Sequence, residues 1–349
     1  MTGKRILIIG AGIAGLALAT GLRRRGVEAV VVEEAAELTA VGLAITLSAR
    51  HYAALKLLGF DDAPTWPHHR TERSYLIDAD GGHIRCRTGV LNSVFSRTGL
   101  QQAMLAPVRD LVRTGVKPVE VDDRGDDVLV RFDNGDEQVF DAVIGADGID
   151  SWTRTEVLGG PRPTYTGVAI TRFRIPNSEK IDYTGIRTGP GALLGFNTRP
   201  DGDLHIMVFL PGEPDNRREL TAPQIADLFP DAIGPWQTVR EGLTSEVEGI
   251  YVNVNQVETD EWVRNRVALI GDAAHAMSPT LGQGAGVGIE DAALLADLLT
   301  MPHLPVPLAF SSYERARQPV AREAQANAKR MALALTSADP ETRRTSLPA

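Results

Sequence analysis

The stretch RVALIGDAAHAMSPTLGQGAGVGIEDAALLADLL (Arg266–Leu299) decides how this chain is read. An apolar run from Arg266 to Ile270 leads into Gly271-Asp272, then Pro279, then glycines at 282, 284, 286 and 288. A helix is expected from about Gly286, with Ile289, Ala292, Ala293, Leu295 and Leu299 as packing positions. A strand that passes through a glycine-rich turn into a helix can hold phosphates or a flat ring. Small residues let a ligand reach the backbone, and the helix start offers unpaired N–H groups.

The chain already carries such a device at its N-terminus, in KRILIIGAGIAGLALATGLRRRGVEAVVVEEA (Lys4–Ala35). A strand from Ile6 to Ile9 precedes the GxGxxG turn of Gly10, Gly12 and Gly15. A helix follows from about Ala14 to Arg25, with Gly26 as its stop, then a strand from Ala29 to Val32. Gly10 permits the tight turn, Gly12 leaves room for a pyrophosphate, and Gly15 lets the helix pack closely. Arg23 to Arg25 read as a solvated helix end. Glu33 ends the second strand, 18 residues beyond Gly15, where a carboxylate accepts ribose hydroxyls. It disfavours the 2′-phosphate of NADP and leaves NAD or the ADP half of FAD.

Bulk properties bound the alternatives. The 349 residues suffice for one large domain or two medium ones, and 43 % hydrophobic with 23 % charged residues is ordinary for a globular protein. The net charge of −9 argues against a nucleic-acid partner. Cys86 is the only cysteine, which excludes an intramolecular disulfide, a CxxC redox pair and a cysteine-based zinc site; no metal is expected. No apolar run has the length of a membrane span and no signal peptide precedes the first strand, so a cytoplasmic protein is expected.

Between the two devices the pattern changes. Alternating runs at Val128–Phe132 and Gln138–Asp141, flanked by Arg124-Gly125-Asp126 and Asp133-Asn134-Gly135, predict a β-meander. A buried-looking strand from Ala142 to Ala146 ends in Asp147-Gly148, an acid and a glycine where a crevice ligand would sit. From about Pro161 to Glu258 no helical pattern is visible; Gly191–Phe196 and Leu204–Phe209 around the Arg199–Asp203 turn predict an antiparallel sheet. The C-terminus reads as helical, with a polar tail from about Thr336. The expected fold is α/β: a discontinuous Rossmann-like FAD-binding domain (residues 1–73, 97–165 and 260–349), an inserted antiparallel β-sheet substrate domain (74–96 and 166–259) and C-terminal helices. In that arrangement the two remote glycine turns meet. Asp272 would accept hydrogen bonds from polyol hydroxyls, and the later helix would turn its positive end toward an anionic ring. Those demands suit FAD better than NAD.

Taken in order, GAGIAG (Gly10–Gly15), Arg97 in FSRTGLQQAML, IGADGIDS (Ile144–Ser151) and LIGDAAHAMSPTLGQGAGVGIEDA (Leu269–Ala292) resemble the FAD-dependent aromatic hydroxylases of the p-hydroxybenzoate hydroxylase fold. The resemblance covers roughly residues 4 to 335. It implies a monooxygenase in which NADH or NADPH transiently reduces FAD, O₂ adds at C4a, and the hydroperoxyflavin hydroxylates an aromatic or electron-rich small molecule. By position it implies that Gly10, Gly12, Ala14 and Gly15 hold the pyrophosphate, Glu33 the ribose, and Arg97, with Gln101, the pyrophosphate and ribityl region. Asp147 and Gly148 would support the cofactor, and Asp272 its ribityl or pyrophosphate part. Pro279, Gly282, Ala285 and Gly286 would frame the isoalloxazine, beside Ala44 and Ile45 of a Gly42-Leu43-Ala44-Ile45 segment. Glu34 stands near the adenine, where many relatives carry arginine; Leu43, Ala49-Arg50 and Ala285-Gly286 also depart from the common pattern. Arg172 and His205, on the inserted sheet, are candidates to pair an anionic substrate and to act as base for a phenol. His275 is expected to be structural, and His68-His69 an exposed loop. A single cysteine excludes a disulfide reductase, and the absence of lysine from 57 to 116 disfavours a flavin halogenase. An epoxidase or reductase of the same fold, or a non-catalytic FAD-binding protein, remain the alternatives.

Overall fold

The computed structural model describes residues 3–38, 44–77, 83–189, 191–216, 220–339 and 341–342. Three sheets organise them. The first has the order β16 (Val263–Arg264), β17 (Val267–Leu269), β10 (Ala142–Gly145), β1 (Arg5–Ile9), β2 (Glu28–Glu33), β6 (Val112–Thr114). It is parallel except for the short hairpin of β16 on β17. Strands β1, β10 and β17 are almost wholly buried, as expected of a parallel sheet covered on both faces.

The register of this sheet positions the site. Ile9 pairs with Gly145 and Val32, and Gly145 pairs with Leu269. Four carboxyl ends therefore lie abreast, and from them emerge the Gly10 turn, the Asp147 loop, Glu33 and Gly271-Asp272. At about 4.8 Å per strand, Glu33 and Asp272 issue from ends about 14 Å apart.

The helices are α1 (Ile13–Arg24), α2 (Ala49–Leu58), α3 (Arg97–Leu105), α4 (Ala222–Ala226), α5 (Pro235–Gly242), α6 (Asp272–His275), α7 (Gly284–Thr300) and α8 (Val306–Leu335). Gly26, at φ 73°, stops α1 in the left-handed conformation. The three arginines at that end are ion-paired, Arg23 with Asp110, Arg24 with Asp61 and Arg25 with Asp297. Arg23 and Arg24 remain exposed, as the reading of a solvated helix end expects, while Arg25 is half-buried.

The second sheet has the order β15 (Ile250–Gln256), β11 (Thr164–Ile175), β14 (Leu204–Pro211), β13 (Ala192–Thr198), β12 (Thr184–Gly189), β4 (His69–Ile77), β5 (His83–Ser96), β3 (Ala44–Leu47). It is antiparallel apart from the β12–β4 pair. Strand β3 and the start of β4 come from the N-terminal segment, so that segment feeds both sheets. A three-stranded meander, β7 (Pro118–Asp123), β8 (Val128–Phe132) and β9 (Glu137–Phe140), stands apart.

One expectation is corrected here. Helices α4 and α5 lie inside the segment 161–258, which was read as free of helix. Both are too short to show a 3.6-residue period. Their signals are terminal: Thr221 and Gln224 form a capping box on α4, and Gly234-Pro235 opens α5. They bury Ile225, Trp236 and Val239 against Phe173, Phe196 and Ile206 on one face of the large sheet. The C-terminal end of α8 covers part of the opposite face, through Ala332 and Leu335 against Ile170 and Phe209.

Candidate active site

The Gly10 turn divides its glycines between packing and access. Gly10 has φ 105°, and a Cβ there would lie 2.4 Å from the Ala146 carbonyl oxygen. A Cβ on Gly15 would lie 2.1 Å from the carbonyl oxygen of Gly10. One on Gly12 would meet nothing within 4 Å, so the backbone there is bare. The first hydrogen bond of α1 runs from the Leu16 N–H to the Gly12 carbonyl (3.0 Å), and no side chain caps the amides ahead of it. Unpaired amides of this kind at a helix start can receive an anion. Gln101 of α3 donates to the Ala11 carbonyl (3.0 Å), bringing α3 against the turn. Arg97, one helical turn earlier on the same face, is exposed. The Glu33 carboxylate accepts from the N–H groups of Ala11 (2.9 Å) and Ala35 (3.0 Å), which fixes it beside the turn. Glu34 points away, paired with Lys117 at 3.0 Å on the surface.

The second glycine device lies directly on the first. A Cβ on Gly271 would be 2.9 Å from the Ala14 Cβ, and one on Gly288 would be 3.3 Å from the same atom. Ala14 therefore fits between the start of α6 and the first turns of α7. Farther along, a Cβ on Gly21 would approach the Ala296 Cβ at 3.0 Å, so α1 and α7 pack along their lengths. Asp272 opens α6 and is exposed; its Oδ1 is 3.7 Å from the Cβ position of Gly284. Helix α7 also starts without a side-chain cap, its first hydrogen bond running from Val287 N–H to Gln283 C=O at 3.0 Å. Two uncapped helix starts thus stand side by side. Gly282, at φ 63°, ends the 3₁₀ turn of Pro279–Leu281, and its Cβ position is 3.5 Å from Thr46 of β3. That contact sets the Pro279–Gly282 turn against the face of β3 that carries Ala44 and Thr46, whereas Ile45 turns to the other face and is buried in the core. Gly42 and Leu43 lie outside the described residues.

Three buried groups, Arg154, Asp291 and His51, hold the pieces in register, and none of the three was singled out from the sequence. Arg154 donates to the carbonyls of Pro161 (2.8 Å), Ile149 (2.7 Å) and Ala273 (2.9 Å), tying the Asp147 loop to α6. The Asp147 carboxylate serves the loop itself: burial pushes its pKa up, and it accepts from the Ser151 hydroxyl (2.5 Å) and from the Thr153 N–H and hydroxyl (both 2.9 Å). Asp291, fully buried in α7, accepts from Gly271 N–H (3.1 Å), His275 Nε2 (2.5 Å) and Arg317 (2.7 Å). Burial would raise its pKa, but His275 and Arg317 outweigh that and hold the carboxyl low. His275 is structural as expected, though its partner is a carboxylate and not the backbone.

His51 completes the set. Its ring, 2 % exposed, fills the place where Gly286 has no side chain; a Cβ there would be 2.1 to 2.3 Å from three ring atoms. The Ser48 N–H donates to His51 Nδ1 at 3.1 Å, closing a capping box on α2. Burial, then the charges of Arg50 and Arg317, lower its pKa to about 4, so the ring is neutral near pH 7. The Gly286 departure noted in the sequence is therefore matched by the His51 ring, which fills the space a side chain at 286 would need. Elsewhere, His68 bonds the Trp66 carbonyl and His69 the Asp182 carbonyl, and no cluster suited to a metal occurs among the described residues.

On the large sheet, Arg172 (β11) stands opposite Met207 (β14), and His205 (β14) opposite Arg174 (β11) and Asn197 (β13). Directly paired residues share a face. All five therefore lie on the face opposite the one covered by α4 and α5.

Comparison with known proteins gives the family. The FAD binding domain family matches residues 4–328. The chain belongs to the FAD-dependent aromatic hydroxylases. It is 30 % identical over 333 residues to the 2-heptyl-3-hydroxy-4(1H)-quinolone synthase of Pseudomonas aeruginosa, covering 89 % of this chain and 85 % of that one. It is 32 % identical to a 3-amino-4-hydroxybenzoate 2-monooxygenase of Streptomyces cremeus, covering 94 % and 86 %. The structure of Klebsiella pneumoniae HpxO with FAD and uric acid superposes with a TM-score of 0.87 at 25 % identity, over 98 % of this chain and 91 % of that one. The enzyme is an FAD-dependent monooxygenase of a family for which NAD(P)H is the typical reductant. No helix among the described residues is long and apolar enough to cross a membrane.

Proposed function

We propose that the enzyme hydroxylates a small electron-rich aromatic molecule, with FAD stretched along the carboxyl edge of the first sheet. The observation that carries this is the seating of Ala14 against Gly271 and Gly288, which joins two uncapped helix starts into one groove. In this reading the amides after Gly12 and the Arg97 guanidinium hold the pyrophosphate, and Glu33 turns its remaining lone pairs to the adenosine ribose. Glu34, paired on the surface, takes no part. Asp272 accepts from the ribityl hydroxyls. The Asp147 loop contributes backbone, since its carboxylate is spent on Ser151 and Thr153. The bare Gly12 backbone and the side-chain-poor stretch from Gly282 to Gly286 fit an extended cofactor with a flat end.

Bound FAD supplies the oxygen chemistry, reduced by NADH or NADPH and fed by O₂; the protein orients and shields. The amides before Val287 and the positive end of α7 stabilise negative charge on a ring placed against them. The first sheet with α1, α3, α6 and α7 serves the cofactor, and the inserted sheet closes over the substrate. Relatives are named for a quinolone, an aminohydroxybenzoate and urate, all ring compounds, which supports an aromatic substrate here.

The test is direct. Purified protein should be yellow, or become so with FAD, and aromatic compounds should stimulate NAD(P)H oxidation with one atom of ¹⁸O₂ entering the product. A protein that stays colourless with added FAD would refute the reading. Stoichiometric FAD without any stimulated turnover would point instead to a non-catalytic flavoprotein.

A further inference from the structure

We propose that the substrate carries an apolar tail, an alkyl or prenyl chain, which leaves the ring site across Met207 and lies on Ile250 and Val252 at the edge of the inserted sheet. This rests on the functional reading above and names its substrate class. The register of the sheet carries the argument. One row across it runs Gly195, Met207, Arg172, Ile250, and the next runs Leu193, Phe209, Ile170, Val252. Directly paired residues share a face, so both rows lie opposite α4 and α5. The first row crosses three strand spacings, about 14 Å, and ends on β15, which is an edge strand. A Cβ on Gly195 would touch the Met207 Cε at 3.6 Å, so the glycine leaves a dip beside the methionine.

Helix α8 covers this face only in part. Its Ala332 and Leu335 close over Val254, Ile170 and Phe209, with Met331 at the margin. Among the described residues that cover ends at Val254: Ile250 is 42 % exposed and Val252 40 %. Strand β15 thus inverts the usual pattern, since its polar residues are the better covered. Tyr251 and Asn253 are half-buried on the other face, where the Tyr251 hydroxyl and the Asp215 N–H donate to Asn253 Oδ1 at 3.0 and 3.1 Å. A solvated edge strand has no need of two branched apolar side chains turned outward on one face. The strip also begins inside the site. Burial, then the like charge of Arg97, lower the pKa of Arg172, so the row that holds Met207 and Ile250 reaches the first sheet beside the Gly10 turn. The Arg172 stem adds apolar surface between those two residues. Met207 and Met331, both partly buried, border the strip, and methionine adapts to apolar ligands of varied shape. That continuity from ring site to rim makes the occupant part of the substrate.

The FAD-loaded protein is titrated with 4-alkylphenols and with alkyl 4-hydroxybenzoates, each series running from methyl to hexyl. Binding is read from the visible flavin band and by calorimetry. Full burial of a methylene gives about a fourfold gain in affinity and burial against one wall about twofold, so a hexyl compound should bind about thirtyfold tighter than its methyl parent. Ile250→Thr combined with Val252→Thr keeps the branched Cβ atoms that suit a strand, which an unchanged thermal midpoint verifies, and should cut that gain below about threefold. Val139→Thr, at an exposed valine of the meander, should leave the gain whole. A flat series in the parent, no binding in either series, or a slope unmoved by the double variant would overturn the assignment while FAD binding and the functional reading stand. A parent dimer that the double variant splits, with the slope unmoved, would make the strip an interface between two copies of the chain instead. Failure to load FAD would remove both the tail and the functional reading.

Discussion

Replacing Gly286 by alanine tests the packing at the start of α7. The new Cβ would lie 2.1 Å from the nearest His51 ring atom, whereas ordinary contact begins at 3.4 Å. The difference, 3.4 − 2.1 = 1.3 Å, must be absorbed. The ring is boxed in: it is 2 % exposed and Nδ1 is committed to the Ser48 N–H. Overpacking of this kind costs about 1–3 kcal/mol, offset by at most about 1 kcal/mol from alanine's better helix propensity. A net loss of about 1–2 kcal/mol is expected in urea unfolding. His51→Ala alone should cost about 1–2 kcal/mol through the lost capping partner and the space left behind. In the double variant the two errors cancel in part, because the alanine methyl occupies the vacated ring position. The coupling should be about 1–2 kcal/mol in favour of the pair. A Gly286→Ala protein as stable as the parent, or strictly additive penalties, would refute the claim that ring and glycine are matched.

Further outcomes are expected. Gly12→Val should abolish FAD binding with little loss of stability, since a Cβ there meets nothing within 4 Å, while Gly15→Val should unfold the turn against the Gly10 carbonyl; flavin content and circular dichroism separate the two. Asp291→Asn should cost about 3–5 kcal/mol in chemical denaturation, because it strands a buried arginine and histidine. His51 and His205 both have folded pKa values below the usual 6.5, so the unfolded chain binds more protons as the solution is acidified. Their contribution is complete above pH 6.5 and is lost as pH falls through about 4 and then about 3. For His51 the shift of 6.5 − 4 corresponds to about 3 kcal/mol at the acid end, and urea midpoints from pH 7 to pH 4 should fall less steeply once it is replaced.

The first sheet was legible because its signals are local. Apolar runs mark β1, β10 and β17, and glycines mark the turns that follow them. Gly12 could be read as an access point since its requirement is steric and independent of partners. The roles of Arg154, Asp291 and His51 were not legible. Each depends on contacts with residues far along the chain: Ala273 with Arg154, Arg317 with Asp291, Gly286 with His51. A single aspartate in GIEDA looks like any solvated helix acid until the fold buries it. Helices α4 and α5 were hidden for another reason. With five and eight residues, they offer caps but no periodicity. Arg172 and His205 stood out as candidates on the inserted sheet, whereas Ile250 and Val252 did not, because an apolar pair left open on an edge strand is visible only once the strand order and its cover are known.

The contact of Ala14 with Gly271 and Gly288 also has a temporal meaning. During synthesis the first helix emerges long before its counterpart, and at roughly 5–20 residues per second the 274 residues from Ala14 to Gly288 take roughly 15–55 seconds to appear. Throughout that interval the nascent chain has half a dinucleotide cleft and a bare helix flank. On the proposed reading, maturation of the flavoprotein is therefore gated by the segment from Gly271 to Gly288, and a ribosome stalled before residue 271 should carry a chain that does not retain FAD.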